Sequence, residues 1–242
     1  MAATLARPVR RRNAPGPPQR GAAVPPKNQL AGQLDPATTV LLTVECQQGV
    51  VGPGSALPEL AEEARSSGAL HRVARLVAAA HAAGVQVLHA VAERRPDGRG
   101  ANSNARLFRA AGRLPVQQHC GTTAVRIAEP IEVAAEDLVV RRLHGLSPLA
   151  GTDVDALLRN LGCRTLVVTG VSANVAIPNA VFDAVNLGYT AVVPSDAIAG
   201  VPADYTPLMI RNTLALVATV TDTDGVLGCW LSRTSRRAAP DD

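Results

Sequence analysis

A chain of 242 residues, 47% of them apolar, is long enough for one sizeable α/β core, and a single domain is the default at this length. The formal net charge is +4, yet Arg7, Arg10, Arg11, Arg12, Arg20 and Lys27 all fall within the first 34 residues, which contain no acid, so the remainder carries −2. That balance argues against a nucleic-acid groove in the folded part, and with Lys27 as the one lysine of the chain, chemistry by a core lysine is excluded.

Residues 1–34 join the arginine cluster to repeated Pro-Gly and Pro-Pro steps, which deny a helix, and hold too little apolar content to offset the entropy of ordering. They read as a disordered, merely solvated basic extension without the apolar stretch of a secretory signal; contact of the arginine cluster with nucleic acid or a membrane surface is the alternative, and neither partner is expected. The folded domain is expected over 35–232, with a second disordered tail over 233–242.

Residues 39–44 are continuously apolar and β-branched, as in a strand covered on both faces. Apolar residues at spacings of three and four predict a helix over 70–83; Gly84 stops it, and a strand follows over 85–91. The unit recurs: strand 137–141, helix 152–161 before Gly162, strand 164–169, helix 174–187 before Gly188, strand 189–194, helix 203–218. Strand-helix alternation with short crossovers predicts a three-layer, Rossmann-like α/β sandwich around a mainly parallel sheet.

Ligands of such sheets sit beyond the carboxyl ends of the strands, which directs attention to 45–48, 92–95, 142–147, 170–176 and 195–200. No GxGxxG or Walker sequence occurs there, which disfavours nucleotide phosphates. Cys46, Cys120, Cys163 and Cys229 are widely spaced, as reduced thiols of a cytoplasmic protein would be; Cys163 and Cys229 read as small buried hydrophobes. No apolar run reaches the length of a membrane span.

The run Gly170-Val171-Ser172-Ala173-Asn174-Val175-Ala176, after the strand at 164–169, resembles the strand-to-helix junction of the isochorismatase-like cysteine hydrolases. The likeness extends over about residues 38–230: Val44-Glu45-Cys46-Gln47-Gln48 stands where that family has an aspartate, an apolar residue and glutamine. Arg141-Arg142 ahead of Ser147-Pro148-Leu149-Ala150-Gly151-Thr152 stands where it has a lysine before Ser-Ala-Phe-x-Gly-Thr. The resemblance implies the family fold, a homo-oligomer, and a catalytic triad of aspartate, lysine and cysteine whose positions read Glu45, Arg142 and Ala176. A methyl group cannot attack a carbonyl, so the family's thiolate chemistry is not expected.

Three readings follow. Isochorismatases proper lack the cysteine and hydrolyse a vinyl ether by protonating carbon, so Glu45 would be the acid, its pKa raised by apolar surroundings, and Arg142 would hold a substrate carboxylate. Gln48, His144, Ser172 and Asn174 are the remaining candidates for the substrate pocket, although an asparagine near a helix start more often serves as a cap. In the second reading the chain binds a small ligand or a partner without turnover; in the third a relocated nucleophile, Cys120 ahead of Ser172 and Ser195, does the chemistry. A closed Glu45–Arg142 pair filling the pocket favours the binder, and an open cavity favours the enzyme. His71, His81 and His89 do not make the spacing used by the family's metal-dependent members, so neither a metal nor another cofactor is expected.

Overall fold

The computed structural model describes residues 27–237. In chain order the elements are α1 (Lys27–Gln33), β1 (Thr39–Val44), α2 (Gln48–Val51), α3 (Pro58–Ser66), α4 (Ala69–Ala83), β2 (Gln86–Ala92), α5 (Arg106–Ala111), β3 (Leu138–Arg142) and α6 (Val154–Asn160). They continue with β4 (Thr165–Val171), α7 (Ala176–Asn186), β5 (Thr190–Pro194), β6 (Ile198–Ala199), α8 (Tyr205–Asn212), β7 (Thr219–Thr221) and α9 (Thr223–Arg237). All strand pairings are parallel, in the order β3-β2-β1-β4-β5-β7 with β6 beside β4, so the sheet is wholly rather than mainly parallel.

The alternation of side chains along each strand supplies two cores. Leu41, Val87 and Val167 face one, closed by α4 through Val73, Leu76 and Ala80 and by α9 through Val226 and Trp230. Leu42, Leu88, Leu166 and Val168 face the other, closed by α6 through Val154 and Leu158 and by α7 through Ile177, Ala180 and Val181. This is the three-layer α/β sandwich expected from the pattern. Every residue of β1 and β4 is buried, as a strand covered on both sides requires. Gly84 follows α4 at φ +71° and its N–H caps the helix by donating to Ala80 O and His81 O.

Four expectations change. Residues 27–33 form α1 rather than tail, because Leu30 and Leu34 insert into the first core; the rest of the expected tail, 1–26, lies outside the described residues. At the other end α9 runs to Arg237, past the boundary at 232, and 238–242 lie outside the described residues. The helix expected over 203–218 stops at Asn212, where Thr213 leaves helical geometry (φ −128°, ψ −62°), and a short 3₁₀ turn, Leu214–Leu216, follows. Helices α2, α3, α5 and α9 and the short strands β6 and β7 have no counterpart among the elements expected from the sequence. No helix of the described residues is long and apolar enough to cross a membrane.

A buried polar chain ties the first three strands together. Thr43 Oγ1 and His89 Nδ1 share a hydrogen bond of 2.7 Å; His89 Nε2 lies 3.3 Å from Asp137 Oδ2, and His81 Nε2 lies 2.9 Å from Asp137 Oδ1. Ala134 N–H donates to the same Asp137 carboxylate at 2.8 Å. Burial pushes the His89 imidazole below its ordinary pKa, and Asp137 pulls only partly the other way.

Candidate active site

The sheet changes direction between β1 and β4: β2 and β3 lie to one side, β5 and β7 to the other. A crevice at that point, beyond the carboxyl ends of the strands, is where such folds bind ligands. Here it is a cavity of about 630 Å³, in the usual range for small-molecule sites. Glu45 enters it from the end of β1, Arg142 from the end of β3, and Ser172 and Ala176 from the junction of β4 with α7.

Glu45 sits in the left-handed region at φ +52°, the one non-glycine residue with positive φ among the described residues. Such a backbone costs about 1–3 kcal/mol and is held by its surroundings: Glu45 N–H donates to Ala90 O at 2.9 Å. Gly170 next to it admits no side chain, because a Cβ there would lie 2.4 Å from Val44 O and 2.7 Å from Cys46 Sγ. Cys46 belongs to the first core although Leu42 and Val44 face the second, because β1 ends at Val44 and the left-handed backbone of Glu45 breaks the alternation; burial followed by the Glu45 charge pushes its thiol pKa up to about 12.

Arg142 Nη2 donates to Glu45 Oε1 and, at 3.4 Å, to Leu146 O. The Arg142 side chain is 5% exposed, the Glu45 side chain 20%. Arg142 Nη1 is buried without a hydrogen-bond partner, an expensive state for a guanidinium donor. The two possibilities set against each other from the sequence thus coexist: the pair is closed, and the cavity beside it is open.

His144 also lines the cavity. Two nominated residues do not. Gln48 donates its backbone N–H to Arg126 O at 2.8 Å, and its side chain folds back over the turn at Gly52. The neighbouring Gln47 takes the inward position: fully buried, it clamps the end of β2, donating to Ala92 O at 2.6 Å and accepting from Ala92 N–H at 2.9 Å. Asn174 does not cap α7; its amide donates to Val201 O at 2.9 Å and fastens the junction to the loop after β6. Cys120 is exposed, outside the cavity, with its thiol 3.4 Å from Arg94 O; desolvation and then Glu93 push its pKa up, the wrong direction for a nucleophile.

Sequence reasoning did not nominate Glu93 and Arg94, which line the wall after β2, although both lie in the window marked by that strand's end. Nor did it nominate the segment around α5, whose Phe108 and Leu114 roof the cavity. Among the described residues no cluster of three or more His, Cys, Asp and Glu side chains is arranged to hold a metal ion.

The family model for the isochorismatase domain matches residues 39–225. The chain belongs to the isochorismatase family. Within that family it is 30% identical over 200 residues to the ureidoacrylate amidohydrolase RutB of Methylorubrum extorquens, covering 76% of this chain and 80% of that protein. A crystal structure of an isochorismatase family protein from Desulfovibrio vulgaris superposes with a TM-score of 0.69 at 28% identity, over 78% of this chain and 96% of its own. That of a cysteine hydrolase from Pseudomonas syringae superposes with a TM-score of 0.72 at 24% identity, over 83% and 95%. The second of these likenesses to solved structures speaks for the fold alone.

Proposed function

We propose that this isochorismatase-family protein is a hydrolase of small anionic molecules that works by proton donation and water addition, without a side-chain nucleophile. The observation that carries this is the composition of the cavity floor: Glu45 and Arg142 in contact, the methyl group of Ala176 nearby, and no thiol among the lining residues. The family resemblance puts Ala176 where a cysteine would attack, so the amide chemistry in the name of the relative RutB is not carried over to this chain.

Arg142 anchors the substrate carboxylate through its guanidinium, which turns from Glu45 to bring the buried, unpartnered Nη1 to the ligand. An anion arriving there competes with Glu45 for the guanidinium. Two carboxylates then share one cation, which favours uptake of a single proton, and Glu45 becomes the acid. Glu45 protonates the terminal carbon of a vinyl ether; the C–O carbon becomes an oxocarbenium ion; water adds to it and returns a proton to the Glu45 carboxylate. The resulting hemiketal splits into a ketone and an alcohol, so one water is consumed and nothing is bonded to the protein.

Hydrolysis of a carboxylate-bearing vinyl ether such as 2-phenoxyacrylate in D₂O tests this. The expected product carries one deuterium on the new methyl group, and intact-protein mass spectrometry finds no adduct. A covalent adduct, on Cys120 or any other residue, contradicts the scheme. The closed Glu45–Arg142 pair supports a second reading, a binder without turnover; failure to hydrolyse any member of a broad amide, ester and vinyl-ether panel would favour it.

A further inference from the structure

Part of the cavity wall is apolar and belongs to no core. Phe108, Leu114, Val116, Leu143, Leu146 and Val175 all line it, yet none is a member of either core or of the half-buried side chains packed against one. Phe108, Leu114 and Val116 come from the segment through α5, where no residue between 101 and 118 is buried. Polar contacts hold that segment in place: Asn102 Oδ1 accepts from Gly145 N–H at 2.8 Å, and the Arg94 guanidinium lies so close under Gly112 that a Cβ there would be 3.1 Å from Nη1. Apolar surface displayed to water around a cavity is surface that a ligand can cover.

The amides of this wall are engaged: Gln117 donates to Leu114 O, and the Gln118 amide oxygen accepts from Gln47 Nε2 at 3.3 Å. Glu93 Oε2 is buried without a hydrogen-bond partner, 3.6 Å from Arg141 Nε, and its charge opposes an anion placed beside it, while Arg94 and Arg106 also line the cavity. One buried donor is free, Arg142 Nη1 on a side chain only 5% exposed.

We propose that this cavity takes a monocarboxylate joined to an uncharged apolar body of aryl or branched-alkyl size, with the carboxylate at Arg142 and the body beneath residues 106–116. The proposal rests on the reading of Arg142 as the anion anchor and adds the identity of the other end of the substrate, with the reacting bond between them at Glu45.

Calorimetric titration of the full chain with 3-phenylpropanoate, acetate, glutarate and 3-phenylpropan-1-ol tests it. Burial of a phenyl ring predicts that 3-phenylpropanoate binds at least about tenfold tighter than acetate or glutarate. Phe108→Ala and, separately, Leu114→Ser should each narrow that advantage by about threefold or more, with the thermal midpoint held because neither residue packs in a core. Arg142→Met should remove carboxylate binding altogether. If acetate or glutarate equals 3-phenylpropanoate while binding still depends on Arg142, the apolar end is wrong and the anchor stands. If the alcohol equals the acid, the anchor fails and takes this proposal with it. Absence of binding by 3-phenylpropanoate overturns it outright.

Discussion

Strands β1, β2 and β3 carry two polar clusters, and the contrast between them separates structure from function. Thr43 of β1 and His89 of β2 join Asp137, just before β3, and His81 of α4 in a chain in which each group meets a partner, and none of the four lines the cavity. At the carboxyl ends Glu45 and Arg142 also meet, but one sits on a left-handed backbone, the other keeps a buried donor unused, and a cavity opens beside them. Both clusters hold buried ionisable groups. What marks the second as a site is incomplete satisfaction next to empty space.

That contrast can be broken by deleting one member of each cluster. Arg142→Met is expected to lower kcat/KM by on the order of 100-fold or more, as for the loss of a buried charged anchor. Its thermal midpoint should fall less than that of Asp137→Ala, because the abandoned Glu45 carboxylate can hydrate in the cavity. Asp137→Ala reverses the pattern. It leaves His81, His89 and the Ala134 N–H without their acceptor and should cost about 2–4 kcal/mol in chemical denaturation, with the activity of the folded fraction retained.

A smaller effect sharpens the comparison through pH. His89 has its folded-state pKa depressed below the ordinary 6.5, so the unfolded chain takes up its proton first as pH falls. The contribution is fully present above pH 6.5 and is lost as pH drops from there through the folded value. Denaturant midpoints measured across that interval should decline with acidification, and the decline should be shallower in His89→Gln. Smallest of all is Cys120→Ser: an exposed thiol outside the cavity should change turnover by less than about twofold.

Much of this was readable in the residues. The β-branched runs and the glycine stops after the helices located β1, β2, β3, β4 and β5 within a residue or two, and the residues at or just past their ends include Glu45, Arg142, His144, Ser172 and Ala176, which share one cavity. Gln48 and Asn174 were misassigned because adjacency to a strand end does not say which way a loop side chain turns; Gln47, one position earlier, is the one turned inward. The cavity roof was invisible for a different reason. Around α5 the apolar residues follow no helical period across an arginine-rich stretch and answer to a cavity rather than to a core, so periodicity carried no signal. Helix α1 was hidden by composition, since the prolines and arginines before it outweighed the two leucines, Leu30 and Leu34, that anchor it.

The central claim is that Glu45 delivers the proton, and one substitution addresses it directly. In Glu45→Gln the amide keeps nearly the volume of the acid but has no proton to give, so kcat for a carboxylate-bearing vinyl ether should fall by about 10²–10⁴-fold while 3-phenylpropanoate still binds. An unchanged kcat in that variant would contradict the account.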